Sequence, residues 1–207
     1  MPQYNLEGPK WASSTVTWSF AATTYVSDTT FAFGSPVSST YQDVYRQAFD
    51  RWASVSGLTF TQVADGADWA HAANIRVGFG ALHTASTGTI GQTNYGQYGT
   101  GAGSTFANDV VVRLEDPAES AIGPTSYGLA YQSYGSTVYQ LALHEIGHAL
   151  GLDHSPDSGS VMYYAPGASD RDLDATDIAG IQALYGTPAP TPVPTPTPVP
   201  TPVPTPV

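Results

Sequence analysis

The spacing of apolar positions changes several times along the chain, and each change marks an element. Val16-Thr17-Trp18-Ser19-Phe20 alternates and is rich in β-branched and aromatic residues, the pattern of a half-buried strand. From residue 39 to 55 the period becomes helical. Tyr41, Val44, Tyr45, Ala48, Phe49, Trp52 and Val55 fall on one face, an aromatic stripe suited to a core. Ser39 with Gln42 fits a capping box at its start. Residues 58–61, 75–79 and 110–114 read as further strands, and residues 84–105, rich in Gly, Thr, Ser and Tyr, as loops with one short strand near Ile90. A second helix is predicted from Ser136 or Thr137 to about Leu150. A third starts at Asp174, takes Asp177 as capping partner, buries Ile178, Ile181 and Tyr185, and stops at Gly186. Strands first and two helices last make the class α+β.

Composition divides the chain. Of its 207 residues, those from 187 onward are almost only Pro, Thr, Val and Ala, which favours an extended polyproline spacer without a core. The expected organisation is one folded domain over 1–186 and a Pro/Thr-rich linker or tail over 187–207, leading to a possible further C-terminal module. A net charge of −11, from six Lys+Arg against seventeen Asp+Glu, argues against nucleic acid as partner. The acidity is read as solubility. With no cysteine there are no disulfides and no thiolate ligands. No apolar run is long enough for a membrane span. The start, Met1 to Glu7, has neither a basic region nor an apolar stretch of the signal-peptide kind.

Chemistry concentrates in residues 144–154, His-Glu-Ile-Gly-His-Ala-Leu-Gly-Leu-Asp-His, which fit H-E-x-x-H-x-x-G-x-x-H. Two histidines four apart lie on one helical face and supply two zinc ligands, His144 and His148. Gly151 lets the chain turn out of the helix, because glycine takes positive φ without a Cβ clash, and so returns His154 as the third ligand. Glu145 stands beside the first ligand, where it reaches water at the open fourth position as general base. Three of the five histidines fall in this motif. His71 and His83 have no second cluster with ligand spacing and read as exposed loop histidines.

With the zinc motif, Ser160-Val161-Met162, the closing stretch from Asp177 to Gly186, and Lys10-Trp11 before the first strand, the chain resembles the metzincins, a clan of zinc endopeptidases. The resemblance covers most of residues 4–186. It implies a zincin-like fold with a twisted, mostly parallel sheet, three helices and a zinc cleft between an upper and a lower half. His154-Ser155 is similar to matrixins, whereas Ala73-Asn74-Ile75-Arg76-Val77 and Gly91-Gln92-Thr93-Asn94-Tyr95 lean toward serralysins. Tyr164 matches the zinc-contacting tyrosine of serralysins and astacins, and Tyr163 the matrixin tyrosine. Met162 would form the floor beneath the histidines. Matrixins hold a structural zinc where this chain has Gln92 and Val111, with only His83 near, so one catalytic Zn2+ is expected and no structural one.

The resemblance further implies a secreted, extracellular, monomeric endopeptidase acting on proteins or peptides, with Tyr164 assisting Glu145. Substrate is expected to add as a strand along residues 108–113, with the pocket after the cut bounded by His144 and residues 163–168. Glu115 and Asp116 read as a solvated turn in preference to a calcium site. The rival reading is a non-catalytic peptide- or surface-binding module on a protease fold, against which the intact Glu145 stands.

Overall fold

The computed structural model of the chain describes residues 3–22, 24, 31–167 and 171–189. The tail assigned to 187–207 therefore lies, beyond residue 189, outside the described residues. Elements follow in the order β1 (Asn5–Leu6), β2 (Thr15–Phe20), α1 (Ser39–Ala53), β3 (Thr59–Gln62), β4 (Ile75–Gly80), α2 (Thr84–Thr87) and β5 (Gly91–Asn94). After them come β6 (Gln97–Tyr98), β7 (Thr105–Phe106), β8 (Val110–Glu115), β9 (Ile122–Thr125), β10 (Gly128–Tyr131), α3 (Val138–Ala149), β11 (Leu152–Asp153) and α4 (Ala175–Tyr185). The three expected helices are α1, α3 and α4; the single turn α2 is additional. The architecture is α+β, as the patterning implied.

The main sheet has five strands in the order β3-β2-β4-β8-β5, parallel except for β5. Its alternation is clear. Val16 and Trp18, Ile75, Val77 and Phe79, and Val110, Val112 and Leu114 point into one core with the faces of α1 and α3. From α1 come Tyr45, Ala48, Phe49 and Trp52, all buried, with Trp18 stacked on Phe49 at 4.3 Å between ring centroids. Burying a side chain of this size contributes about 1.5–3 kcal/mol each, which is why the stripe fixes how α1 lies on the sheet.

Two expectations are corrected. The N-cap of α1 is Ser38, one residue before the Ser39 expected, and it makes no side-chain cap bond; Gln42 instead donates through Nε2 to the Val37 carbonyl at 2.9 Å. The opposite sheet face is covered as well. Arg76 is buried there against Asp65 at 2.7 Å and beneath the Phe33 ring. Nor is the Glu115–Asp116 pair a solvated turn. Glu115 is fully buried and accepts from the backbone N–H groups of Leu82, Thr84 and Asp116 and from the Thr84 hydroxyl. Asp116 accepts from Ser35 N at 2.7 Å and Ala118 N at 2.9 Å. Backbone N–H groups and the hydroxyls of Thr84 and Ser35 satisfy these carboxylates, so they pin the flanking loops.

Candidate metal centre

Helix α3 carries the first two histidines. Thr137 is its N-cap, accepting from Gln140 N at 3.0 Å. The helix is buried nearly all round, because α1, β5, β8 and β10 touch it on different sides. Two indole donors fasten its flank: Trp52 Nε1 to the Leu143 carbonyl at 3.1 Å and Trp11 Nε1 to that of Ala149 at 2.9 Å. The histidine face is thus presented by an element packed on several sides and tied by two indole bonds.

At Gly151 the chain leaves the helix with φ +101°, and a Cβ there would sit 2.5 Å from the Pro9 carbonyl oxygen. Both the turn and the close approach demand glycine. The turn returns His154 to the pair on α3. The ligand nitrogens of His144, His148 and His154 all lie within 4.8 Å of one another, and among the described residues they form the sole such metal-suited group. Met162, buried, lies against Gly147 of α3. The turn carrying Met162 is closed by Ser155 N to the Met162 carbonyl at 2.9 Å. It is anchored to the start of α4 by Asp177, which accepts from Val161 N at 2.9 Å and from the Ser160 hydroxyl. The predicted capping box of Asp174 and Asp177 is present, so Asp177 serves the cap and the turn together.

The ring bonding tests whether an ion fits. His144 Nδ1 lies 2.7 Å from the Val161 carbonyl and His148 Nδ1 2.8 Å from that of Leu152. A carbonyl only accepts, so both Nδ1 atoms carry the proton. The lone pairs are left on Nε2, and these two atoms face each other at 3.2 Å. Opposed lone pairs repel unless a cation or a proton lies between them. Tetrahedral zinc, with Zn–N bonds of about 2.0–2.1 Å, spaces its nitrogens by roughly 3.3 Å. The donor set and the spacing suit zinc.

Electrostatics around the rings divides them. Burial, then the charge of His148, pushes His144 down to about 3. Burial and His148 also lower His154. Burial alone would lower His148 too, but the Glu7 hydrogen bond and the charges of Glu145 and Glu7 outweigh it, and its net shift is upward. Of the three rings, His148 is therefore the one whose surroundings most favour a proton.

Glu145 is 5% exposed and opens on the same cleft, of about 370 Å³, as the three histidines. Burial raises its pKa, against the pull of His148 and Thr93. The Thr93 hydroxyl is 2.8 Å from both the Glu145 carbonyl and its carboxylate, so β5 orients the group. Gly91 on the same strand leaves the space that the carboxylate occupies; a Cβ there would overlap it. Tyr164 is 65% exposed and lines the cleft, while Tyr163 is held back by a bridge to Ser155, its ring 4.5 Å from that of Tyr164. Of the two tyrosines, Tyr164 is the one in the cleft wall.

The strand expected to receive substrate is misplaced in the sequence reading. Residues 110–115 form β8, which pairs with β4 and β5 on its two sides and has no free edge. The edge beside the histidines is β5, and Gly91, Gln92 and Thr93 line the cleft. The far wall carries Leu141, Tyr164 and Pro166. Ala168, named for that pocket, lies outside the described residues. His71 and His83 are exposed and pair with Asp68 and Glu119, away from the cleft. Thr93 and Glu7 were missed by sequence reasoning. Neither belongs to a local motif, and Glu7 is 141 positions from the ring it touches.

A mixed sheet over two helices, with three converging histidines at its edge, His144 and His148 buried and His154 exposed, and a carboxylate beside them, defines a zinc-peptidase class of site. Residues 10–186 match the matrixin family model. The chain belongs to the matrixin family, a family of zinc metalloendopeptidases. It is 32% identical over 181 residues to the hatching enzyme of Paracentrotus lividus, covering 84% of this chain and 27% of that protein. It is 29% identical over 196 residues to matrix metalloproteinase-2 of Drosophila melanogaster, covering 91% and 23%. With metalloendoproteinase 1-MMP of Arabidopsis thaliana it shares 31% over 186 residues, covering 86% and 45%. The chain thus spans less than half the length of these relatives. The matches carry the matrixin side of the resemblance and do not bear on the serralysin leaning.

Proposed function

We propose that this domain is the catalytic unit of a secreted endopeptidase that cleaves peptide bonds in protein substrates. The observation that carries the reading is the convergence of the three imidazoles and the Glu145 carboxylate on one cleft beside the free edge of β5. His144, His148 and His154 would hold zinc, which when bound supplies a Lewis acid that acidifies water and polarises a carbonyl. Glu145 takes the proton of the attacking water and returns it to the leaving amine. Its burial and the consequent upward shift suit a group that must both accept and give back a proton. The Thr93 hydroxyl keeps the carboxylate aimed while it does so. Tyr164 donates its phenolic O–H to the oxyanion as charge develops there.

Substrate enters extended and adds to β5 antiparallel or parallel through main-chain hydrogen bonds, which makes recognition tolerant of sequence. The side chain after the cut enters the space between Leu141, His144, Tyr164 and Pro166. Among the described residues no helix is long and apolar enough to cross a membrane. The domain acts as a monomer, with the Pro/Thr-rich residues after 186 as a spacer.

The test is proteolysis of casein by the metal-loaded chain, with and without chelator, beside Glu145→Ala. The expected outcome is cleavage that stops on chelation and returns with zinc. Glu145→Ala is expected to lose about 10²–10⁴-fold in kcat while retaining the metal. Cleavage by the alanine variant at the parent's rate, zinc still bound, would remove Glu145 from the role of base.

A further inference from the structure

Residues 3–10 cross the rim of the cleft and touch the turn that delivers His154. Strand β1 pairs antiparallel with β11, Asn5 opposite Asp153 and Leu6 opposite Leu152. Asn5 Nδ2 donates to the His154 carbonyl at 2.8 Å, and Glu7 N to that of Gly151 at 2.9 Å. The Ser155 hydroxyl donates to the Gln3 carbonyl at 3.2 Å. Contacts of this kind dock a strand, and they say nothing particular about the metal.

The Glu7 side chain is different. Its Oε1 lies 3.1 Å from His148 Nδ1, behind the ring and on the far side from Nε2, the nitrogen that faces His144. Its Oε2 accepts from the Tyr95 phenol at 2.7 Å. One imidazole N–H therefore meets two acceptors, the Leu152 carbonyl at 2.8 Å and this carboxylate. His144 Nδ1 meets the Val161 carbonyl. Among the described residues Glu7 is the carboxylate within ion-pair distance of the triad. A carboxylate behind an imidazole fixes the tautomer and the ring angle, and makes the opposite nitrogen a stronger donor to a metal. The phenol holds that carboxylate in turn, so its position is set from both ends.

We infer that Glu7 is a positioning residue of the metal centre: the N-terminal strap carries its carboxylate to the back of His148, where it strengthens the grip of Nε2 on the ion. The inference rests on the zinc reading above. Three measurements on the full chain test it: zinc affinity by competition with a chromophoric chelator, the visible spectrum of the Co(II)-substituted protein, and the melting temperature of metal-stripped protein. The variants are Glu7→Gln, Glu7→Ala, Tyr95→Phe and, as reference, His148→Ala.

Glu7→Gln keeps size and one acceptor but removes the charge. It is expected to bind zinc about 10–100-fold more weakly and to shift the cobalt bands, with the stripped melting temperature unchanged. Tyr95→Phe is expected to move affinity in the same direction by less. Zinc affinity within about twofold of the parent for Glu7→Gln, with unaltered cobalt bands, would overturn the inference, since outer partners ordinarily cost more than that. A loss of affinity that merely follows a fall in stripped melting temperature across both Glu7 variants would overturn it too, because strap docking then explains everything. Zinc uptake by the parent no better than by His148→Ala would instead sink the metal centre itself, and Glu7 with it.

Discussion

Helix α3 faces two kinds of surroundings. On one side it meets α1 and the sheet, where Trp18, Phe49, Trp52, Val112 and Leu114 are buried in one apolar cluster. On the other it meets residues 151–164, which contribute Leu152, Val161 and Met162 to that cluster but are otherwise tied by single polar contacts. Asp177 holds the Met162 turn, Asn5 the His154 carbonyl, and Glu7 the His148 ring. The first side resists change through many weak contacts spread over area, and the second through few directional ones. Two of the three histidines therefore sit on a packed element, and the third depends on a lattice of hydrogen bonds.

The comparison can be broken most forcefully from the packed side. Trp52→Ala removes a fully buried indole and its bond to Leu143, and is expected to cost about 3–5 kcal/mol in urea unfolding. Zinc binding and fold should fail together. Asp177→Ala, on the polar side, orphans Val161 N and the Ser160 hydroxyl and is expected to cost about 1–3 kcal/mol. Its signature is different. Chelator should strip zinc much faster while the near-UV spectrum of the sheet core is retained. Equal effects from the two variants on stability and on zinc would show that the halves are not separately held.

Acid should separate them more gently. Metal binding needs neutral rings, and His148, whose pKa is raised, takes a proton first as pH falls. Zinc is expected to leave as pH falls and protons compete for the rings. The sheet outlasts it. Asp65 and Glu115 lie below their ordinary range; burial opposes this, but the Arg76 bond at Asp65 and the Thr84 bonds at Glu115 prevail. Their stabilisation is present above their unfolded values, about 3.9 and 4.3, and is lost as pH falls through the lower folded ones. Circular dichroism and metal release, followed together, should give two transitions. The smallest effect belongs to the cleft rim: Tyr164→Phe should change stability by less than about 0.5 kcal/mol. It should lower kcat with little change in KM, which steady-state kinetics on a peptide would report.

Legibility in the sequence followed locality. His144, Glu145 and His148 could be read because helical spacing alone puts the two rings on one face. The Asp174–Asp177 box could be read because both partners lie within one turn. Ser39 was one position off, since the choice of N-cap depended on Gln42 turning back to Val37. Glu115 and Asp116 looked like a wet turn because charge after a strand usually is wet; their burial comes from loops at Ser35 and Leu82–Thr84, remote in sequence.

What the sequence determined by itself was the donor set, its helix, the Gly151 exit and the α+β class, all of which rest on periods and spacings within about a dozen residues. Tertiary structure alone decided that β5, not β8, offers the free edge, that Thr93 aims Glu145, and that Glu7 stands behind His148. Strand order and the approach of a strap 141 positions away depend on which surfaces the folded chain brings together, and no local pattern encodes that.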